Sequence, residues 1–200
     1  MKSHTITIHK ISIIVLTALM LSCLPQLTMA QGNLVVNGSF DTDASGWIIT
    51  NVNVSAGGGY LSNYGNPPGS IFLYNPSSSH VPTASQEINS LTPGSLYVIS
   101  GDYQKGLGKN ITANSFGVAL DGVFLFETNA PVNLNWYNFS FYYTAASSSA
   151  LLSLAAQING TDYSYYIDNI AMYAVPEPSA GCLIIFGSGV LIYVRTRKKI

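Results

Sequence analysis

The residues able to do chemistry are few and unevenly spread. His80 is the only histidine between residues 31 and 174, and Cys23 and Cys182 both lie in apolar end segments. Counting alone excludes from that stretch a zinc site built from His and Cys, and any Ser-His-Asp triad that uses another histidine. There is no G-x-S-x-G elbow, phosphate loop or HExxH helix. Asp102 or Glu87 would suit a glycosidase if a second carboxylate stood across a sheet, but no spacing in the sequence places that partner. The chain is therefore read as a non-enzyme, with a small glycoside hydrolase kept as the third alternative. What the stretch does hold is aromatic: twelve Tyr, seven Phe and two Trp.

Charge narrows the partners. Between residues 31 and 174 there are two bases, Lys105 and Lys109, and eight acids, Asp41, Asp43, Glu87, Asp102, Asp121, Glu127, Asp162 and Asp168, so the net charge is 2 − 8 = −6. Without a basic stripe the chain has no means of binding a phosphate backbone by counterion release, and nucleic acid is excluded as a partner. The same stretch has no thiol, so core packing, with or without a metal, must hold it together.

The elements that position these residues read as strands. Alternation of period two recurs from about residue 34 to 173, with no sustained helical repeat. In 96–103, Tyr97, Ile99 and Tyr103 share one face and Ser100 and Asp102 the other. In 136–143, Tyr137, Phe139, Phe141 and Tyr143 face one way and Asn138 and Ser140 the other. Asp121-Gly122 between 116–120 and 123–127 predicts a tight hairpin, because both residues tolerate positive backbone angles. Further strands are expected near 34–36, 47–54, 71–74, 83–88, 150–157 and 165–172. Eight or nine short strands between Gly, Pro, Asn and Ser clusters predict an all-β sandwich over 31–174.

Four segments in register carry a resemblance. Asn33-Leu34-Val35-Val36-Asn37-Gly38-Ser39-Phe40-Asp41 followed by Gly46-Trp47, then Ser85-Gln86-Glu87-Ile88 with Leu91-Thr92-Pro93-Gly94-Ser95-Leu96-Tyr97, then Trp136-Tyr137, and finally Tyr166-Ile167-Asp168-Asn169-Ile170 resemble the landmarks of galactose-binding-like jelly rolls. The likeness is greatest to the carbohydrate-binding modules of bacterial glycoside hydrolases. The resemblance implies a jelly-roll β-sandwich, with Asp41 and Asp168 at positions that often supply oxygen ligands to a structural calcium ion. Asn37 is read as part of an Asn-Gly turn. The resemblance also implies sugar binding on aromatic faces. Trp47 and Trp136 sit at positions that are commonly core, whereas Tyr60, Tyr64, Tyr74, Tyr103 and Tyr163 lie in loops or at strand ends beside Asn, Gly or Asp and are the candidate ligand contacts.

The two ends read as addresses. Lys2, His4, His9 and Lys10 precede the apolar run 11–24, and Thr28-Met29-Ala30 offers a small residue for cleavage, which is the layout of a secretory signal peptide over 1–30. An uncleaved anchor or a lipoprotein using Cys23 are the alternatives. At the other end Val175-Pro176-Glu177-Pro178-Ser179 precedes fifteen apolar residues, 180–194, and then Arg195-Thr196-Arg197-Lys198-Lys199. Two prolines around a glutamate keep the motif extended and outside regular structure. As a helix rising ~1.5 Å per residue, the apolar run reaches only ~22 Å, short of the ~30 Å hydrocarbon core. The basic cluster holds the C-terminus in the cytoplasm. Residues 175–200 closely resemble the PEP-CTERM sorting signal of Gram-negative bacteria that make extracellular polysaccharide. Ala180-Gly181-Cys182 departs from the threonine and bulky residue frequent in that signal. The resemblance implies an exosortase as partner, Pro176, Glu177 and Pro178 as its recognition motif, a temporary transmembrane helix, and release to the outer surface or medium. A plain C-terminal anchor is the alternative.

Taken together, the sequence predicts an exported surface protein that binds exopolysaccharide or a surface glycan without catalysis. The alternative is a structural or adhesive biofilm matrix protein with no sugar site.

Overall fold

The computed structural model describes residues 32–76, 80–106, 115–131, 133–157 and 163–176. The expected signal peptide, the sorting tail beyond Pro176 and the motif residues Glu177 and Pro178 lie outside these residues. Among the described residues no helix is long and apolar enough to cross a membrane.

Alternating side chains fold into ten strands: β1 (Ile48–Thr50), β2 (Gly59–Gly65), β3 (Pro68–Asn75), β4 (Thr83–Asn89), β5 (Leu96–Lys105), β6 (Ser115–Leu120), β7 (Val123–Thr128), β8 (Tyr137–Thr144), β9 (Ser149–Gln157) and β10 (Tyr163–Ala174). They form two antiparallel five-stranded sheets, ordered β1-β4-β9-β6-β7 and β2-β3-β10-β5-β8. The chain is thus an all-β sandwich.

The core is one layer between the sheets. Ile71, Leu73, Ile99, Tyr97, Tyr165 and Ile167 of the second sheet and Ile88, Phe116, Val118, Leu152 and Leu154 of the first are essentially inaccessible. Rings from the two sheets meet there: Tyr103 stacks on Phe116 with centroids 5.2 Å apart, and Phe126 on Phe139 at 5.3 Å. Each such side chain contributes about 1.5–3 kcal/mol on burial, and this layer stands in place of the absent disulfides. The inward faces expected for 96–103 and 136–143 are the observed ones. Tyr97, Ile99, Tyr103 and Phe139 are buried, while Asn138 and Ser140 are exposed.

The quoted motifs turn out to be fasteners. Gln86 is buried; its Oε1 accepts from the Val36 N–H (2.8 Å) and its Nε2 donates to the carbonyls of Val36 (2.9 Å) and Gly46 (3.1 Å). The Tyr97 hydroxyl accepts from the Thr92 N–H at 2.8 Å, closing the Leu91-Thr92-Pro93-Gly94 turn. The Asp121-Gly122 hairpin forms as expected, with φ of 50° and 80°.

Three elements differ from expectation. Residues 34–36 form no strand and lead into a turn over 36–39, because the Asn33 side-chain oxygen takes the Met172 and Val35 N–H groups that a strand would have paired. The strand expected over 47–54 shrinks to Ile48–Thr50, since Asn51 is left-handed (φ 59°) and Asn53 caps a 3-10 turn, Val54–Ala56. Strand β2 was not expected: its sequence, GYLSNYG, has the composition of a loop, and it is held by pairing to β3.

Candidate functional site

The second sheet buries one face in the core and turns the other outward, open at its rings and amides but with Gln104, Asp102 and Asp168 covered by neighbouring side chains, and the outward residues of its neighbouring strands fall into cross-strand rows. Phe72 of β3 pairs with Tyr166 of β10, which pairs in turn with Gln104 of β5. Two residues along each of β10 and β5, about 7 Å away, Asp168 pairs with Asp102, and Asp102 with Asn138 of β8.

The first row continues into a run of aromatic rings. Tyr74 stacks on Phe72 (5.2 Å, 9° between planes) and Phe72 on Tyr166 (4.1 Å, 7°). Tyr64 of β2 leans on Tyr166 (4.5 Å) and faces Trp136 (6.3 Å). All five are half-buried or exposed. Tyr64 is fixed from below, since its hydroxyl donates to Gln104 Oε1 at 2.5 Å, and the Gln104 amide donates to the Leu134 carbonyl. A ring held in this way loses little entropy when a ligand arrives.

The second row is polar and densely bonded. Asn66, in the β2–β3 turn, donates from its backbone to Asp168 Oδ2 (2.6 Å) and from its side chain to Asp102 Oδ2 (3.2 Å). Asn169 makes the same double contact, backbone to Asp168 Oδ1 (2.7 Å) and side chain to Asp102 Oδ2 (2.9 Å), while also donating to the Asn66 carbonyl. Asn138 closes the set by donating to Asp102 Oδ1 at 2.5 Å. Asn169 reaches Asp102 because β10 bulges there: its register against β5 slips between Asp168 and Ala171, and Asn169 itself has φ 53°. The bulge presses on Gly101, where a Cβ would stand 2.5 Å from Ile170 Cδ1 and 2.8 Å from the Phe139 ring.

Two carboxylates side by side resist ionising together. Asp168 is fully buried, and its pKa is pushed up to about 6, first by loss of solvent and further by the Asp102 and Asp41 charges, against the pull of the Asn66 and Asn169 N–H groups. None of the hydrogen bonds among the described residues uses the side-chain oxygen of Asn66, Asn138 or Asn169. Asn66 and Asn138 are exposed, so the face presents amide acceptors beside its rings.

The residues expected to touch a ligand divide. Tyr64 and Tyr74 stand in the aromatic run. Tyr103 does not: it is 6% exposed, its ring packed on Phe116, Tyr137 and Phe139 in the core, and it cannot take a ligand. Tyr60 packs against the core with its hydroxyl buried and unbonded. Tyr163 opens β10 opposite Asn75. Trp47 is core, as its position suggested, with its ring N–H donating to the Val36 and Asn37 carbonyls, whereas Trp136 joins the aromatic run. Glu87 is exposed on β4 of the other sheet, so it is no partner for Asp102.

Asp41 is exposed and accepts from the Ser39 hydroxyl, and its charge is felt by Asp168. Among the described residues no group of three or more His, Cys, Asp or Glu is gathered as a metal site. Sequence reading missed Phe72, Tyr166, Gln104, Asn66, Asn138 and Asn169. The available signal was the pair of strands, Ile71-Phe72-Leu73-Tyr74 and Tyr163-Ser164-Tyr165-Tyr166, that place aromatics on the side alternation gives to solvent.

No protein-family model and no curated protein sequence matches the chain. Solved structures do. The CBM22-1 xylan-binding domain from Paenibacillus barcinonensis Xyn10C is 14% identical, with a TM-score of 0.51 over 73% of this chain and 97% of that one. The CBM22-1–GH10 modules of Clostridium thermocellum endo-1,4-β-D-xylanase 10B, complexed with xylohexaose, are 16% identical with a TM-score of 0.52; the match covers 74% of this chain and 29% of that one. The Stig cyclase Fisc from Fischerella sp. TAU is 14% identical, TM-score 0.52, over 74% and 98% of the two chains. This chain therefore has the jelly-roll fold of carbohydrate-binding modules. A cyclase spans the same fold, so function must be argued from the site.

Proposed function

We propose that this chain is an exported, non-catalytic carbohydrate-binding protein whose site is the solvent face of the second sheet. The observation that carries the reading is the meeting there of a five-ring aromatic run and an adjacent row of exposed amides whose acceptors are unused. A pyranose offers an apolar C–H face and a rim of hydroxyls, and such a face meets both. The two CBM22-1 neighbours, one named for xylan and one complexed with xylohexaose, support the reading through the shared fold. Binding without turnover fits the burial of the carboxylates: Asp102 and Asp168 lie beneath the surface, turned toward the N–H groups of Asn66, Asn138 and Asn169, so no acid and nucleophile pair faces a glycosidic bond.

The sorting reading of the two ends belongs with this proposal. The PEP-CTERM-like tail delivers the domain to the outer surface by way of an exosortase that reads Pro176, Glu177 and Pro178. If replacing these three by Ala leaves maturation and surface display unchanged, the sorting reading is wrong. Calcium is the second component. Asp41 and Asp168 supply hard carboxylate oxygens within one electrostatic neighbourhood, which fits calcium in kind, while the remaining ligands of a six- to eight-oxygen shell would be backbone carbonyls and water.

The test of the sugar site uses the full-length chain in detergent on glycan arrays and affinity gels. Tyr64→Ala and Trp136→Ala should each weaken retention roughly three- to tenfold in protein that still melts cooperatively; no retention on any polymer removes the reading. A structural or adhesive matrix role is the second reading. It is favoured by edge strand β7, which exposes Val123, Phe124 and Leu125 at 62%, 45% and 40%. Its mark would be a deletion strain that loses cohesion while the protein ignores free sugars.

A further inference from the structure

We infer that the second-sheet face selects an electroneutral, hydroxyl-rich glycan and rejects polymers bearing carboxylate, sulfate or phosphate groups; the inference rests on the sugar-binding reading above. Recognition of an acidic sugar needs a cation, and a guanidinium or ammonium is the usual partner because charge-assisted hydrogen bonds outweigh neutral ones. The stretch 31–174 has two lysines and no arginine. Lys105 is the single Lys or Arg among the described residues, Lys109 lying outside them, and it points away from the face: on β5 it follows outward Gln104, is 1% exposed, donates to Asn129 Oδ1 at 2.5 Å and lies 5.8 Å from the Tyr165 ring in the core.

The face itself presents neutral groups. Phenols, the Trp136 ring, the Asn66, Asn138 and Asn169 amides and the Ser140 hydroxyl line it, all able to exchange hydrogen bonds with hydroxyls. Its two carboxylates, Asp102 and Asp168, are 7% and 0% exposed and turned toward the neighbouring N–H groups, so in metal-free protein they add negative potential from beneath and do not themselves meet a ligand at the surface. Asp41, Asp43, Glu87, Asp121 and Glu127 are exposed elsewhere on the domain. The net charge of −6 therefore opposes a polyanion at range, across a Debye length of about 8 Å at physiological salt.

The experiment compares full-length protein in detergent on affinity gels of neutral polymers (xylan, galactan, mannan, β-glucan) and uronate polymers (alginate, polygalacturonate). Retention on at least one neutral polymer, at least about tenfold weaker on both uronates, and changing less than about twofold from 0.05 to 0.5 M NaCl is the expected result. Ser140→Lys, which puts an ammonium on the exposed side of β8 within this face, should raise the ratio of uronate to neutral-polymer retention severalfold. Equal or tighter binding to a uronate polymer by the unaltered protein overturns the inference and leaves the sugar-binding reading standing. So does a Ser140→Lys protein whose ratio of uronate to neutral-polymer retention does not move. Absence of retention on every gel removes the sugar-binding reading and this inference with it.

Discussion

Asp168 shows how one residue can serve two ends of the chain. Its oxygens accept the backbone N–H groups of Asn66 and Asn169, which set the turn before β3 and the bulge of β10. Burial and the neighbouring acids raise its pKa from 3.8 to about 6, so in metal-free protein the folded state holds this proton more tightly than the unfolded state. The contribution of Asp168 is then fully present below pH ~4 and is lost as pH rises through ~6. The rise corresponds to on the order of 3 kcal/mol. Urea denaturation in EDTA should therefore give a stability that declines between pH 4 and 6, and Asp168→Asn should flatten that decline. Asparagine can accept only one of the two N–H groups, so this variant should also be less stable at pH 4. A decline of the same size in both proteins would assign the titration to other groups. Gln86 acts at the same scale but without charge. Gln86→Ala strands the Val36 N–H and two carbonyls, and should cost on the order of 2–3 kcal/mol in chemical denaturation without altering pH dependence.

Strands β5 and β10 set the site because they sit side by side in the second sheet and carry both rows across it. The β10 bulge is the part that aims Asn169 at Asp102, and it fits only because residue 101 has no side chain. Gly101→Val would drive a methyl into Ile170 and the Phe139 ring, so melting should show a loss of about 1–3 kcal/mol. Glycan retention should fall as well, through displacement of Asn169; unchanged retention in the folded variant would mean that the bulge does not position the site. How legible these elements were depended on whether local pattern or tertiary contact decided them. The inward faces of β5 and β8 and the Asp121-Gly122 turn follow from alternation and from one turn dipeptide, both readable in a single strand. Strand β2 was hidden by its Gly, Ser and Asn content, because what makes it a strand is pairing with β3. The polar row was hidden for a related reason. Asn66, Asp102, Asn138 and Asn169 are scattered over four elements, and only register and a bulge bring them together. Tyr103 counts among the expected ligand contacts for its place near a strand end beside Asp102, yet alternation sends it to the opposite face.

At the scale of the whole molecule, an acidic domain without a disulfide has to restrain both of its ends. The first segment is already stitched to the last strand: the Leu34 N–H donates to the Met172 carbonyl and the Ile170 N–H to the Gly38 carbonyl, with Asp41 and Asp168 at the same junction. A calcium ion bridging those two carboxylates would convert their mutual repulsion into attraction and lock Asp168 in its ionised form. The pH dependence argued for metal-free protein would then reverse. With calcium in excess, stability should rise between pH 4 and 6, because protonating the ligands releases the ion. Thermal melts of the full-length chain should show the two opposite slopes in EDTA and in millimolar calcium chloride. At neutral pH the gain from calcium should be about 2.7 kcal/mol when the ion is at a hundredfold excess over its dissociation constant. Magnesium should not substitute, since it dehydrates reluctantly and demands a tighter octahedron. Asp41→Asn tests the junction without removing the Asp168 hydrogen bonds: it should abolish the calcium response while the EDTA profile keeps its decline. Melts that coincide in calcium and EDTA at every pH would show that the ends are held by the backbone stitches and the Asn66 and Asn169 contacts alone.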